Sequence, residues 1–551
     1  MNFGSLLFSF LLLPAIGSAQ LLPVDSAWVE RTLAHMTLDE KIGQLIMPPH
    51  FDLEQSKQLI QDYHVGGFFV AKSEAKQIAS ELNDLQRTSR YPLLISADFE
   101  KGAGTHIDRA TDLPMNMALA ASRNPEIAYR AAKLTAVEAR AMGIHLDFAP
   151  VLDVNNNPQN PIINVRSFGE DPKLVAEMGA SAIRGYQENG LLATAKHFPG
   201  HGNTSTDSHS KLGTIEASGS QFESVELFPY REVFLRAEPA AIMTAHLWAK
   251  AVDTDTIPAT ISKNAITSLL RDRMKFNGLI VTDAMIMGGI TNLLAPGDAT
   301  VRAIQAGCDL ILWPGNPATS FEAIQQALED GRITVARIDA SVRRILNAKT
   351  RVGLDRERFV NEESIQGRVG TETNYQEAKA IASRCITLVK DEAKLLPLKA
   401  GTRTVVITMG KQTRNAMMSR SLISFPGEMR NRDSSVITLS LPENPDPGQV
   451  TRAHELARKS EVVVVAAYVQ IVIGSGTVEL SEAHQAFVKR LIEENPRTIL
   501  VSFGNPYIGV SFPALSTYIC AYDNARALQA VAVDALYGRI PFTGKLPVTL
   551  K

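Results

Sequence analysis

A (β/α)8 barrel of the TIM type followed by a second α/β layered domain is the fold the sequence predicts, and three observations predict it. Short apolar runs rich in β-branched residues alternate with helical patterns along roughly the first 350 residues. Eight such runs occur, each nearly continuous in apolar character, which is the pattern of parallel strands buried on both faces. Their polar residues gather toward one end of the runs, and in a barrel those ends share one rim. An open doubly wound sheet is the structural alternative for the same rhythm.

Residues 1–19 (MNFGSLLFSFLLLPAIGSA) read as a secretory signal peptide. Leu6 to Ile16 is almost wholly apolar, and Gly17 and Ala19 supply the small residues that cleavage requires. The run falls short of the roughly 20 residues a bilayer span needs. No later stretch is long and apolar enough to cross a membrane, so the mature protein is expected to be secreted, periplasmic or extracellular, without a span. The barrel is expected over residues 20–350, with strands at 43–49, 66–71, 92–100, 145–154, 192–199, 240–248, 278–285 and 309–314. Good helix formers occupy 124–142, 172–188 and 262–275, and a helical stretch around 339–349 closes the unit. Residues 351–374 are polar and carry Gly, Glu and Asn, the pattern of a linker. Over 375–551 the rhythm resumes, with strands at 385–391, 404–410, 461–470, 498–504 and 518–523 and helices at 449–459 and 481–494. This is a second domain around another largely parallel sheet.

Composition narrows the partners. Of 551 residues, 45% are hydrophobic and 21% charged, with a formal net charge of −2. That balance provides no electrostatic footprint for a polyanion, so no nucleic acid is expected and a small or neutral substrate is favoured. Cys308, Cys385 and Cys520 lie far apart, with neither a disulfide framework nor zinc-ligand spacing. Each reads as a small apolar packing residue.

The strand ends carry the chemistry. Asp98 and Glu100 end the third run, Asp153 the fourth, Lys196 and His197 the fifth, His246 the sixth and Asp283 the seventh. The densest segment is KHFPGHG (196–202), followed by Asp207-Ser208-His209. Its Pro and Gly residues, directly after a strand, make a loop whose backbone can approach a ligand closely. Three histidines in one loop raise the question of zinc, but no pair has i, i+4 helical spacing and no Cys is near, so no metal is expected. The Asp-x-His spacing has another use. In an irregular loop, residues i and i+2 can point the same way, and the carboxylate then fixes the imidazole tautomer and raises the basicity of the other nitrogen. Asp283, within VTDAM (281–285), reads equally as a nucleophile or as a hydrogen-bonding strand cap.

Together these segments resemble glycoside hydrolase family 3, and within it the bacterial β-N-acetylglucosaminidase branch. The resemblance covers essentially the whole mature chain. It runs through MTLDEKIGQL (36–45), APVLDVN (149–155), RSFGEDP (166–172), KHFPGHG, DSH (207–209), VTDAM and AGCDLILWP (306–314). It then continues through ITLVKDEAKLLPL (386–398) to GKLPVTL (544–550). It implies a barrel followed by an α/β sandwich, a retaining glycosidase, and no cofactor. It also implies that Asp283 is the nucleophile and His209 the acid/base, with Asp207 as its orienter. Asp98, Asp153, Arg166, Lys196 and His197 match positions that hold sugar hydroxyls. The glucosidase branch takes its acid from a Glu in the second domain, so DSH in the barrel loop favours the amino-sugar branch. One departure is plain: where cytosolic members commonly read DQEGGR, this chain reads Asp98-Phe99-Glu100-Lys101-Gly102-Ala103, without the Arg. His246 and Trp313 lie at strand ends near the same rim and are read as supporting or packing residues, with direct sugar contact as the alternative.

The expected reaction is release of terminal β-linked N-acetylglucosamine from peptidoglycan fragments or chitooligosaccharides through a covalent glycosyl-enzyme. The alternatives are a β-glucosidase or β-xylosidase of the same family, a phosphate-dependent phosphorylase, and a glycan-binding protein without turnover. Intact Asp283, Asp207 and His209 argue against the last.

Overall fold

The structure, a computed structural model, describes residues 20–410, 423–472, 474 and 476–550. The expected signal peptide at 1–19 lies outside the described residues. Among them, eight strands close into a barrel. They are β1 (Ile46–Met47 with Pro49–His50), β2 (Gly67–Val70), β3 (Leu94–Ala97), β4 (Leu146–Asp147), β5 (Leu192–Phe198), β6 (Ala241–Thr244), β7 (Leu279–Val281) and β8 (Ile311–Leu312). β2 to β7 pair in sequence order, all parallel. β1 pairs with both β2 and β8, and a parallel bridge between Val281 and Leu310 joins β7 to β8. The ring is complete, and the open-sheet alternative falls away. β2, β3, β5, β6 and β7 are buried along their whole length, which is why they read as unbroken apolar runs rather than as alternation.

The helices start where local chemistry directs. In MTLDEK, Thr37 Oγ1 accepts the Glu40 N–H and Glu40 Oε2 accepts the Thr37 N–H, a capping box that opens α1 (Leu38–Gln44). Asn124 and Asp171 cap α2 (Pro125–Ala141) and α3 (Pro172–Gln187), each with proline at the first helical position. The helix expected at 262–275 runs Asn264–Arg273 and winds more widely than an α-helix, with the Met274 N–H bonded to Leu269 O. Val335–Arg351 is the last barrel helix. The stretch read as a linker holds a 3₁₀ turn at Glu362–Gly367 and the first residues of the helix Glu372–Ala382.

The second sheet contains β9 (Thr387–Asp391), β10 (Thr404–Gly410), β11 (Ile437–Ser440), β12 (Val462–Tyr468), β13 (Thr498–Ser502) and β14 (Thr517–Cys520). Their order is β9-β14-β13-β12-β10-β11, with β9 antiparallel to β14 and the other pairs parallel. β11 is not among the strands expected from the sequence. It is an edge strand, exposed at both ends, so it lacks the continuous apolar run that marked the others. All three cysteines are buried and unbridged, in keeping with a packing role.

The two domains touch next to the barrel rim. Lys101 Nζ lies 3.3 Å from Asp523 Oδ1, and Asn155 Nδ2 donates to the Tyr507 hydroxyl at 3.1 Å.

Candidate active site

Because all eight strands are parallel, their C-terminal ends lie on one rim, and every chemistry-bearing strand end of the sequence falls there. Asp98 follows β3, Asp153 lies beyond β4, Lys196 and His197 close β5, and Asp283 follows β7 by two residues. The β5–β6 ladder shifts register between Ile242 and Thr244. Strand alternation would send Lys196 and His197 to opposite faces, yet both side chains reach the rim cluster.

That cluster is a neutral set of four charges. Lys196 Nζ bonds Asp98 Oδ1 at 2.6 Å and Glu100 Oε1 at 2.7 Å, while Arg166 grips both Glu100 oxygens at 2.6 and 2.8 Å. Burial pushes the Glu100 carboxyl up, but Arg166 and then Lys196 outweigh it and hold it well below the usual carboxylate range. Burial likewise pulls Lys196 down, and Asp98 and Glu100 reverse the sign, so its ammonium stays charged. Asp98 is the open member, with 37% of its side chain exposed against 9% for Glu100. In the sequence Glu100 is simply a second carboxylate at the strand end; the fold makes it the counter-ion that fixes both cations.

Next to it, Asp153 is wholly buried. Its Oδ2 meets His197 Nδ1 at 2.7 Å, and its Oδ1 accepts the His197 and His201 backbone N–H groups at 3.2 and 2.7 Å. Burial raises its carboxyl, and His197 more than compensates, leaving it below its ordinary value. With both oxygens engaged, Asp153 is placed to hold the histidine loop rather than to face the cleft. His197 presents Nε2 toward Arg166 at 3.4 Å. His201, to which the sequence assigns no role, bonds Ser208 Oγ through Nε2 at 2.9 Å, and burial pushes its imidazole down to about 4. It is therefore a neutral strut between KHFPGHG and DSH. Gly202 is required by close approach: a Cβ there would sit 1.8 Å from the Val154 carbonyl oxygen.

The Asp-x-His spacing does what its geometry allows. Asp207 Oδ1 accepts the His209 backbone N–H at 2.9 Å and faces His209 Nδ1 at 2.8 Å. Its Oδ2 accepts the N–H of Gly474, from the second domain, at 2.7 Å. Burial works against the Asp207 charge, but His209 and Gly474 prevail and hold its carboxyl at about 2. Nδ1 of His209 therefore carries the proton that the carboxylate binds, and Nε2 is left for chemistry. No sequence signal pointed to Gly474, because a backbone donor 267 residues away has no side chain to betray it.

Asp283 is half-buried, with Oδ1 accepting the Ala284 N–H at 2.8 Å. Burial raises its carboxyl, and the nearby imidazoles of His197, His246 and His209 bring it below its ordinary value. The helical turn after β7 packs directly on the DSH loop: Gly288 N–H bonds His209 O at 2.9 Å and Gly289 N–H bonds Ser208 O at 3.0 Å. A Cβ on Gly288 would lie 2.3 Å from Ser210 O, so glycine is what permits that contact. His246, read from sequence as a supporting residue, is buried and bridges Thr260 Oγ1 and Ala284 O at 2.9 and 3.1 Å. The structure thus brings Asp283, His209, His197 and the charge cluster to one rim of the barrel.

The arrangement has counterparts. The models of the glycosyl hydrolase family 3 N-terminal and C-terminal domains match residues 37–348 and 386–551. A protein of Cellulomonas fimi named β-N-acetylglucosaminidase/β-glucosidase is 33% identical over 95% of each chain. The solved structure of a glycoside hydrolase family 3 β-N-acetylglucosaminidase from Paenibacillus sp. str. FPU-7 is 33% identical, with a TM-score of 0.87 over 94% of this chain and 99% of that one. A β-glucoside phosphorylase, BglX, is 28% identical, with a TM-score of 0.86 over 95% and 96%.

Proposed function

The chain belongs to glycosyl hydrolase family 3 and is a glycosidase, and on that premise we propose that it removes terminal β-linked N-acetylglucosamine with retention of configuration, using Asp283 as nucleophile and His209 as acid/base. The observation that carries this reading is the docking of the DSH loop against the turn that follows Asp283, with Asp207 leaving His209 Nε2 free. In the first step the Asp283 carboxylate attacks C1 while protonated His209 gives its Nε2 proton to the departing glycosidic oxygen. In the second, neutral His209 takes a proton from water as the water oxygen bonds C1 and the Asp283 ester breaks. Asp98, Arg166, Lys196 and His197 hold the sugar hydroxyls by charge-assisted bonds, and Asp153 acts through His197. No step requires a metal or organic cofactor.

Peptidoglycan fragments and chitooligosaccharides are the substrates of this reading. The apolar run at 1–19 supports export to a periplasm or the medium, and no described helix is long and apolar enough to cross a membrane. Asp283→Asn tests the assignment. Turnover of an aryl N-acetyl-β-glucosaminide is expected to fall by roughly 10⁴- to 10⁶-fold, as loss of a covalent nucleophile does; near-native turnover rules the assignment out. Aryl glucoside and xyloside, assayed alongside, test the glucosidase and xylosidase alternatives.

A second reading, transfer to phosphate instead of water, is favoured by the histidine at the acid/base position, since no carboxylate there repels an incoming anion. Hydrolysis predicts a rate independent of phosphate and free N-acetylglucosamine as product; a phosphate-dependent rate with a sugar 1-phosphate reverses the choice.

A further inference from the structure

Opposite the charged arc of β3–β5, the rim at β8 and β1 is apolar and unused by the chemistry above. Phe51 directly follows β1 and is 60% exposed, Ile286 lies three residues beyond Asp283 and is 42% exposed, and Trp313 directly follows β8 and is half-buried. The Phe51 and Trp313 rings meet edge-on at 5.6 Å, and Trp313 leans on buried Phe69 at 6.0 Å. The Ile286 side chain lies beside Gly315, in the turn that Trp313 opens.

Trp313 is also held in an unusual backbone conformation, with φ at +43°. A bulky residue in that region is strained, and such strain collects where function requires a side chain to be aimed. The Trp313 N–H is pinned to Met47 O at 2.8 Å, so the ring is presented on rigid backbone. A solvent-facing aromatic pair on a fixed rim, one and two strands from Asp283, suits the apolar C–H face of a pyranose ring.

We infer that Phe51, Trp313 and Ile286 form a platform for the sugar ring on the leaving side of the scissile bond, so that the enzyme selects oligosaccharide chains over simple alkyl glycosides. This rests on the reading of Asp283 and His209 as the catalytic pair. The glycone is held by charge on the β3–β5 arc, which leaves the apolar arc to the aglycone. The ligand class is a β-linked oligosaccharide whose second ring stacks on Phe51 and Trp313.

The experiment compares wild type, Phe51→Ala and Trp313→Phe on N,N′-diacetylchitobiose and on methyl N-acetyl-β-glucosaminide. The ratio of kcat/KM for the disaccharide to that for the methyl glycoside is expected to fall about 3- to 10-fold in each variant, chiefly through KM, as loss of one aromatic stacking contact implies. A ratio unchanged in both variants overturns the platform. Tryptophan fluorescence provides a readout independent of turnover, since the chain has three tryptophans. Titration with chitotriose is expected to perturb the emission of wild type and of Asp283→Asn, and the change is expected to vanish in Trp313→Phe. If wild type turns over neither glycoside while the chitotriose signal persists and depends on Trp313, the catalytic reading fails and the platform stands. If no signal depends on Trp313 and the ratios do not move, the platform is wrong.

Discussion

Glu226 provides the sharpest test of the electrostatics beneath the histidine loop. Its carboxyl is buried, with the Asn156 side chain beside it. It lies against Gly200 of KHFPGHG, where a Cβ would come within 2.6 Å of Oε2. Burial, reinforced by the charge of Asp153, outweighs the Asn156 hydrogen bond and pushes its carboxyl from 4.5 up to about 8. The sign follows from linkage. Between pH 4.5 and 8 the unfolded chain has released this proton and the folded chain has kept it, so stability falls as pH rises through that window. The 3.5-unit difference, at 1.36 kcal/mol per unit, amounts to about 5 kcal/mol across the window and about 3 kcal/mol between pH 5.5 and 8. Glu226→Gln removes the ionisation while keeping the shape. Thermal unfolding of wild type and variant at pH 5.5 and 8 is the assay. The wild type is expected to lose about 6 °C more than the variant over that interval, at roughly 2 °C per kcal/mol for a domain this large. Its kcat/KM is expected to decline near pH 8, where a second negative charge appears beside Asp153, and the decline to move higher in Glu226→Gln. Parallel melting curves across the interval refute the reasoning.

Other perturbations probe the site directly. Asp207→Asn preserves the hydrogen-bond acceptor but removes the charge that orients His209. It is expected to cost about 10²- to 10⁴-fold in kcat/KM on chitobiose, and less on a 4-nitrophenyl glycoside whose leaving group needs little protonation; equal losses count against the acid role. Glu100→Gln leaves Lys196 and Arg166 buried without their shared counter-charge, so urea unfolding should show a destabilisation of about 3–5 kcal/mol. Gly202→Ala drives a methyl into the Val154 carbonyl and must displace the loop that bears His201. A misplacement near 1 Å predicts about 10²-fold lower kcat/KM, and a fully active variant contradicts the geometry.

Legibility followed burial. The barrel strands could be read because parallel strands covered on both faces are continuous apolar segments, and α2 and α3 because Asn124-Pro125 and Asp171-Pro172 announce their first turns. β11 could not be read, because an edge strand with exposed ends carries no such run. The wide winding of Asn264–Arg273 was equally hidden, since amphipathic spacing is nearly the same for either helix. Within the site, His209 and Asp207 were legible because their pairing spans two residues. Glu100 was visible only as one of two carboxylates after β3, and nothing local distinguished the buried counter-ion from open Asp98.

By itself the sequence determined the order of elements, the rim on which the polar residues lie, and the local Asp207–His209 pair, because each is written in short-range periodicity or spacing. Only the tertiary structure decided that Glu100 anchors Lys196 and Arg166, that Asp153 faces the histidines rather than the cleft, and that Gly474 of the second domain completes the carboxylate of Asp207. Those are contacts between residues tens to hundreds of positions apart, and charges interact through space, so their energies exist only once the chain has closed.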